Sequence, residues 1–264
     1  MPYSAKFWSA APTYGEVFYA RAVGKAPEME SSKATARQLK GVIVPGSHVL
    51  DVGCGTGHYL RSLRREYTFP FSYEGADITP YYIRLAKKAY AHDSNAHFRV
   101  ASIDDLPFKP RTFDIVLCCN VLLHLPDIVK PIRELWRVTR RTMLIRTHIG
   151  TTNFRIQQVP EPAVLKGKKD PVFRTNGEPI RSNFFHNIYS ERYMRWLCGT
   201  LPDVADVSIE QDKDFDPHAL GSAQWPEEKK PGDLTEVWNG MQVHHYILQP
   251  WCFLRVTRKK DKAH

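Results

Sequence analysis

The sequence predicts an α/β fold in which a parallel sheet carries helices on both faces. Three observations predict it. Apolar, strand-like runs alternate with helix-like segments at βα spacing as far as residue 147. A glycine-rich turn, Gly53-Cys54-Gly55-Thr56-Gly57, directly follows the first of those runs. The chain has 264 residues, 42% hydrophobic and 12% aromatic, enough to fill a core on each side of such a sheet.

The elements follow in order. Residues 1–44 read as an N-terminal helical segment, with one helix around 17–23 and a second from Ser31-Ser32 to Leu39. The two serines suit the free amides of a helix start. Pro45-Gly46 signals a turn into a short buried strand at 48–52. The glycine turn leads to a helix at 59–65, then a strand at 72–77 and a helix at 81–90 opened by Pro80. Strands are predicted at 96–101, 113–119 and 142–147, with a helix at 127–138. A capped helix at 190–197 ends near Gly199. Two further strands, 204–211 and 246–257, are expected as an antiparallel hairpin at the sheet edge. In such sheets ligands lie beyond the carboxyl ends of the strands. The loops after Val52, Ala76, Ala101 and Cys119 therefore share one rim.

Two stretches interrupt the pattern. Residues 151–188 hold Pro160, Pro162, Pro171 and Pro179 and the basic run Lys166-Gly167-Lys168-Lys169; residues 212–243 form another long link. Both read as lid or substrate insertions within a single domain spanning 1–264.

The formal net charge of +9 favours acidic partners such as nucleic acid, phosphorylated or carboxylated small molecules, or a membrane surface. Part of that excess sits in the tail at 258–262. Five cysteines, at 54, 118, 119, 198 and 252, lack metal-ligand spacing and are odd in number. They argue against a disulfide scaffold and for a reducing, cytoplasmic setting. The start of the chain lacks an apolar run, so no secretory signal is expected. The apolar stretch at 113–125 is broken by Asp114, Asn120 and His124 and is too short to span a bilayer.

The glycine turn discriminates between nucleotides. A dinucleotide fold wants G-x-G-x-x-G, and His58 stands where its third glycine belongs. A G-x-x-x-x-G-K-[ST] phosphate loop is absent from the sequence. The spacing Asp51-x-Gly53-x-Gly55-x-Gly57 resembles motif I of the class I S-adenosylmethionine-dependent methyltransferases. The likeness extends over roughly residues 40–150 and falls closest to the small-molecule, type 11 branch. It implies a Rossmann-like, seven-stranded, mostly parallel sheet with an antiparallel last strand, and S-adenosylmethionine as cofactor.

The resemblance also implies site residues. Asp51, Gly53, Cys54, Gly55, Gly57 and Tyr59 belong to the cofactor loop and the helix it opens. Asp77, 26 positions after Asp51, would accept both ribose hydroxyls, with Ile78 against adenine. A helix-capping role before Pro80 is the alternative for Asp77, and both can coexist. The run from Ser102 to Phe108 resembles a D-x-x-x-L-P-F stretch, but Ser102 stands where the family has its acid. Either the Ser102 hydroxyl or Asp104 would then meet the adenine amine, beside the Ile103 amide. The run from Phe113 to Leu125 resembles motif IV and places Cys119 and Asn120 along the methionine part of the cofactor.

For the acceptor, His124 and His148 are candidate general bases, since imidazole titrates near neutral pH. A packed helix position is the plain alternative for His124. His186 and Tyr189 are candidate acceptor contacts, as are the N-terminal Tyr14 and Tyr19. The pair His244-His245 reads as ordinary surface or core. These histidines lack spaced carboxylate partners, so no metal site is expected. The leading function is O- or N-methylation of a small molecule, such as a sugar, glycan or other anionic acceptor. Lys166, Lys168, Lys169, Arg174 and Arg181 suit such an anion. An RNA methyltransferase is one alternative; a non-catalytic cofactor-binding partner subunit is the other.

Overall fold

The computed structural model describes residues 12–156, 185–214, 235–238, 241–244 and 247–259. The lysines and arginines of 166–181 and His245 lie outside the described residues. So do most of the two insertions, at 157–184 and 215–234.

Two helices come first, α1 (Pro12–Ala22) and α2 (Glu30–Gln38). They are followed by β1 (His48–Val52), α3 (His58–Glu66), β2 (Ser72–Asp77), α4 (Pro80–Ala89), β3 (Ala96–Val100) and β4 (Phe113–Cys119). A single 3₁₀ turn, Leu122–His124, leads to α5 (Val129–Val138) and β5 (Thr139–Gly150). The short β6 (Tyr189–Ser190), α6 (Glu191–Gly199) and β7 (Val204–Gln211) come next. Last are β8 (Thr235–Trp238), β9 (Met241–His244), β10 (Ile247–Gln249) and β11 (Trp251–Arg258).

The main sheet has the order β3-β2-β1-β4-β5-β11-β7, with β6 paired to the end of β5. Strands β1 to β5 pair in parallel, while β11 pairs antiparallel with both β5 and β7. The sheet is thus the mostly parallel one expected, and its antiparallel last strand is slotted between β5 and the edge strand β7. Every residue of β4 is buried, as a central strand covered on both faces requires. One core cluster packs α5 and α6 on one face; another packs α2, α3 and α4 on the opposite face. Among the described residues no helix is long and apolar enough to cross a membrane.

Four local expectations are corrected. Ser31 and Ser32 lie inside α2 and do not cap it. The Ser32 hydroxyl donates to Met29 O at 2.8 Å and meets the Ser62 hydroxyl, and Ser31 Oγ accepts from the Tyr59 hydroxyl at 3.0 Å, so the serines stitch α2 to α3. Strand β5 is 12 residues long, well beyond 142–147, because β11 supplies it with a full antiparallel partner. The predicted strand 246–257 divides at Pro250 into β10 and β11, proline having no amide to continue a ladder. The link 212–243 is not bare: β8 and β9 form a three-stranded antiparallel sheet with β10.

Candidate functional site

The carboxyl ends of β3, β2, β1 and β4 lie side by side in that order, and a cavity of about 320 Å³ opens over them. Its floor comes from four loops: Ala101 to Asp104, Asp77 and Ile78, Val52 to Gly55, and Cys119 to Leu125. Its roof is α1, whose Tyr14, Val17, Phe18 and Arg21 are spaced three and four residues apart and so share one helix face. His186, Gln249 and Trp251 close the side beyond β4.

The glycine turn shapes the centre of the floor. Gly53, Gly55 and Gly57 all have positive φ, at 80°, 56° and 79°. At Gly53 a Cβ would stand 2.2 Å from Val121 Cγ2, so only glycine fits between β1 and the loop after β4. The Asp77 carboxylate braces this turn, accepting from Gly55 N at 2.9 Å and Thr79 N at 2.8 Å. Burial raises the Asp77 pKa despite those two amides. Its lone pairs have capacity for further donors, and hydroxyl donors would favour the charged form.

Asp51 sits below the turn and does not line the cavity. It accepts from the Tyr73 hydroxyl at 2.7 Å, and burial pushes its pKa up to about 7. Cys54 and Gly57 are likewise part of the turn's frame and absent from the cavity wall. Gly53, Gly55, Tyr59, Asp77, Ile78, Ser102, Ile103, Cys119 and Asn120 all line it. Ser102 Oγ accepts from Asp104 N at 3.2 Å, so serine and acid are presented together.

A polar chain runs behind the wall. Asn120 has a left-handed φ of 60°, donates from Nδ2 to the Tyr59 hydroxyl at 3.2 Å and accepts from Arg146 Nη1 at 2.7 Å. Arg146 is held in turn by Asp212 and lies 4.0 Å over the Trp251 ring. Neither Arg146 nor Asp212 belongs to a motif legible in the sequence; their 66-residue separation leaves no local signal.

Comparison with known proteins decides the family. Residues 50–144 match the family model described as "Methyltransferase domain". Residues 50–144 thus carry a methyltransferase domain of the S-adenosylmethionine-dependent kind. It is 29% identical over 142 residues to ajmaline N-methyltransferase of Rauvolfia serpentina, covering 52% of this chain and 46% of that protein. It is 32% identical over 111 residues to demethylmenaquinone methyltransferase of Lactiplantibacillus plantarum, covering 41% and 46%. The chain spans less than half the length of these curated relatives. Among solved structures, magnesium protoporphyrin IX methyltransferase from Synechocystis with bound SAH aligns at a TM-score of 0.53 and 15% identity, covering 97% of this chain and 98% of that one. A SAM-dependent methyltransferase from Methanosarcina mazei aligns at 0.52 and 15% identity, covering 85% and 98%. At that identity these two likenesses bear on the fold.

In this methyltransferase domain the candidate acceptor residues separate. His124 and His186 both line the cavity, their rings 5.3 Å apart and nearly perpendicular. His124 Nδ1 lies 2.7 Å from Phe185 O, and a carbonyl can only accept, so Nδ1 carries the proton there. Tyr14 lines the roof, whereas Tyr19 does not reach the cavity and lies under Lys88 Nζ. His148 is fully buried and outside the cavity wall. The expectation that it stands at the rim fails because β5 continues to Gly150, which leaves His148 inside the strand, paired with Trp251 and packed 4.0 Å from its ring. Tyr189 also faces away, donating to Leu122 O at 2.8 Å beside a separate hollow of about 290 Å³.

The wall fits the cofactor that the resemblance implies. A turn of three left-handed glycines leaves backbone exposed to a ligand at Gly53 and Gly55, a buried acid with acceptor capacity stands next to it, and the buried His58 Nδ1 has no hydrogen-bond partner among the described residues. Those are features of a ligand seat, since buried polar atoms are otherwise paired.

Proposed function

We propose that this chain binds S-adenosylmethionine across the β1–β3 end of the cavity and methylates an oxygen or nitrogen of a small, largely apolar acceptor at the β4–β5 end. One observation carries the reading. A single cavity joins the glycine turn and Asp77 to an acceptor end walled by Leu123, Leu125 and Trp251, with His124 and His186 among them. Apolar walls with a few convergent polar groups suit a ring-bearing small molecule.

The cofactor supplies a methyl group on a positively charged sulfur, transferable by in-line displacement. The protein aligns the acceptor and excludes water, and α1 over the rim serves the second task. His124 takes the proton when the acceptor is a hydroxyl, its Phe185-bonded Nδ1 fixing Nε2 as the basic nitrogen. Tyr59, Asn120 and Arg146 keep the wall beside the acceptor rigid. The ajmaline and demethylmenaquinone named for the relatives are consistent with a small-molecule acceptor. An anionic acceptor depends on the basic residues of 166–181 and finds less support in the described wall. Five free, buried cysteines suit a reducing compartment such as the cytoplasm.

Calorimetry with S-adenosylmethionine, followed by a methyl-transfer screen over quinols, phenols, amines and total RNA, tests the reading. Binding with turnover on a phenol, quinol or amine is expected. Turnover on RNA with a steep salt dependence would establish the nucleic-acid alternative instead. Failure of the wild-type chain to bind the cofactor, or undiminished binding by Asp77→Ala, ends the proposal.

A further inference from the structure

The cavity wall carries charges of both signs. Asp77 and Asp104 stand at its β2–β3 side, while Arg21 is the one arginine or lysine among its described residues and belongs to α1. Phe18, one turn before Arg21, stacks on the His58 ring with centroids 4.6 Å apart and planes 9° from parallel. A Cβ on Gly55 would have the His58 and Phe18 rings as its nearest neighbours, each at 3.6 Å, so this stack covers the glycine turn. The end of α1 is fixed to α3 by Arg61 Nη1, which donates to Arg21 O at 2.8 Å. His58 is 8% exposed, and its Nδ1 meets no hydrogen-bond partner among the described residues.

We propose that Arg21 and His58 form an anion seat for the α-carboxylate of the cofactor's amino-acid end. The inference rests on the cofactor reading above and extends it to two residues no motif assigns. A ligand that carries a carboxylate as well as ribose hydroxyls and an amine matches a wall that offers a guanidinium beside the glycine turn as well as the acids Asp77 and Asp104. A guanidinium binds a carboxylate in two parallel hydrogen bonds, and a neutral imidazole adds one N–H donor. Burial, and secondarily the charge of Arg21, lowers the His58 pKa to about 3, which keeps the ring neutral. The same seat chemistry would accept an anionic group on the methyl acceptor, so the test separates the two sources.

The test is calorimetric, on the full chain, with two ligands that share the nucleoside and the sulfur: S-adenosylhomocysteine, which has the carboxylate, and 5′-methylthioadenosine, which lacks it. Arg21→Met should weaken the first about tenfold or more and leave the second within about twofold. Arg21→Lys, which keeps the charge without the fork, should fall between, and His58→Phe, which keeps the ring stack, should weaken the first severalfold. Equal weakening of both ligands would show that Arg21 only holds α1 in place, and overturns the proposal. Unchanged binding of both by Arg21→Met overturns it too. If sodium phosphate then stabilises the wild type but not Arg21→Met against heat, the seat belongs to an acceptor anion. A wild type that binds neither nucleoside overturns the cofactor reading itself and the seat with it.

Discussion

The Arg146 guanidinium and the Asp212 carboxylate form an ion pair of 2.6 Å with side chains only 2% and 1% exposed. It joins β5 to the residue just past β7, across the antiparallel β11 that separates the two strands. Two charges removed from water to this extent depend on each other, because attraction offsets desolvation only while both are present.

Asp212→Ala should therefore cost about 3–5 kcal/mol of stability in urea denaturation. Adding Arg146→Met should return much of the loss, since the uncompensated charge goes with it. A single-variant loss below about 1 kcal/mol would mean that water reaches the guanidinium.

A second expectation concerns pH. The Asp51 pKa rises from 3.8 unfolded to about 7 folded, so the folded state binds the extra proton between those values and Asp51 makes stability fall as pH rises from 4 to 7. His58 drops from 6.5 to about 3, so the unfolded state binds the extra proton there; its contribution is fully present above 6.5 and is lost as pH falls toward 3. The two slopes oppose each other over pH 4–6.5 and leave the wild type nearly flat with respect to them. Asp51→Asn should make stability climb with pH in this window, and His58→Phe should make it decline. Parallel curves for all three proteins would refute both assignments.

Catalysis separates the histidines. His124→Gln should lower kcat by about 10²–10⁴ for a hydroxyl acceptor, and remove the acid limb of the pH–rate profile, without changing cofactor affinity. His148→Gln, placed beside Trp251 within the sheet, should instead lower Tm with a smaller effect on kcat. The reverse pattern would return His148 to the site.

Gly53→Ala combines a left-handed φ of 80° with a Cβ placed 2.2 Å from Val121. It should cost at least about 2 kcal/mol and abolish cofactor binding in any protein that still folds. Val121→Ala in the same chain should recover part of the stability by removing the obstruction, leaving the strain. No recovery would place the damage in the backbone alone.

The rim is legible in the sequence because its residues are local. Val49 to Gly57, Asp77 and the run from Phe113 to His124 each sit within a few positions of a strand end, where a motif fixes both backbone and side chain. Register across the sheet is not local. Sequence places His148 at the rim because nothing near residue 148 announces that residues 251–258 will pair with β5 and lengthen it. Arg21 and His58 are hidden for a related reason. His58 registers in the sequence only as a missing glycine, and its use depends on α1 folding back over the turn. Ser31 and Ser32 pass for caps because a cap and a buried interhelical hydroxyl pair have the same composition.

Asn120 shows what such a wall does to inheritance. Its φ of 60° admits few side chains, chiefly glycine, asparagine and aspartate. Its carboxamide must also donate to Tyr59 and accept from Arg146 in one orientation. Aspartate fails the first demand, and glycine fails both. This position is fixed unless Tyr59 or Arg146 changes with it, so the route by which the protein could acquire a different acceptor runs around Asn120 rather than through it.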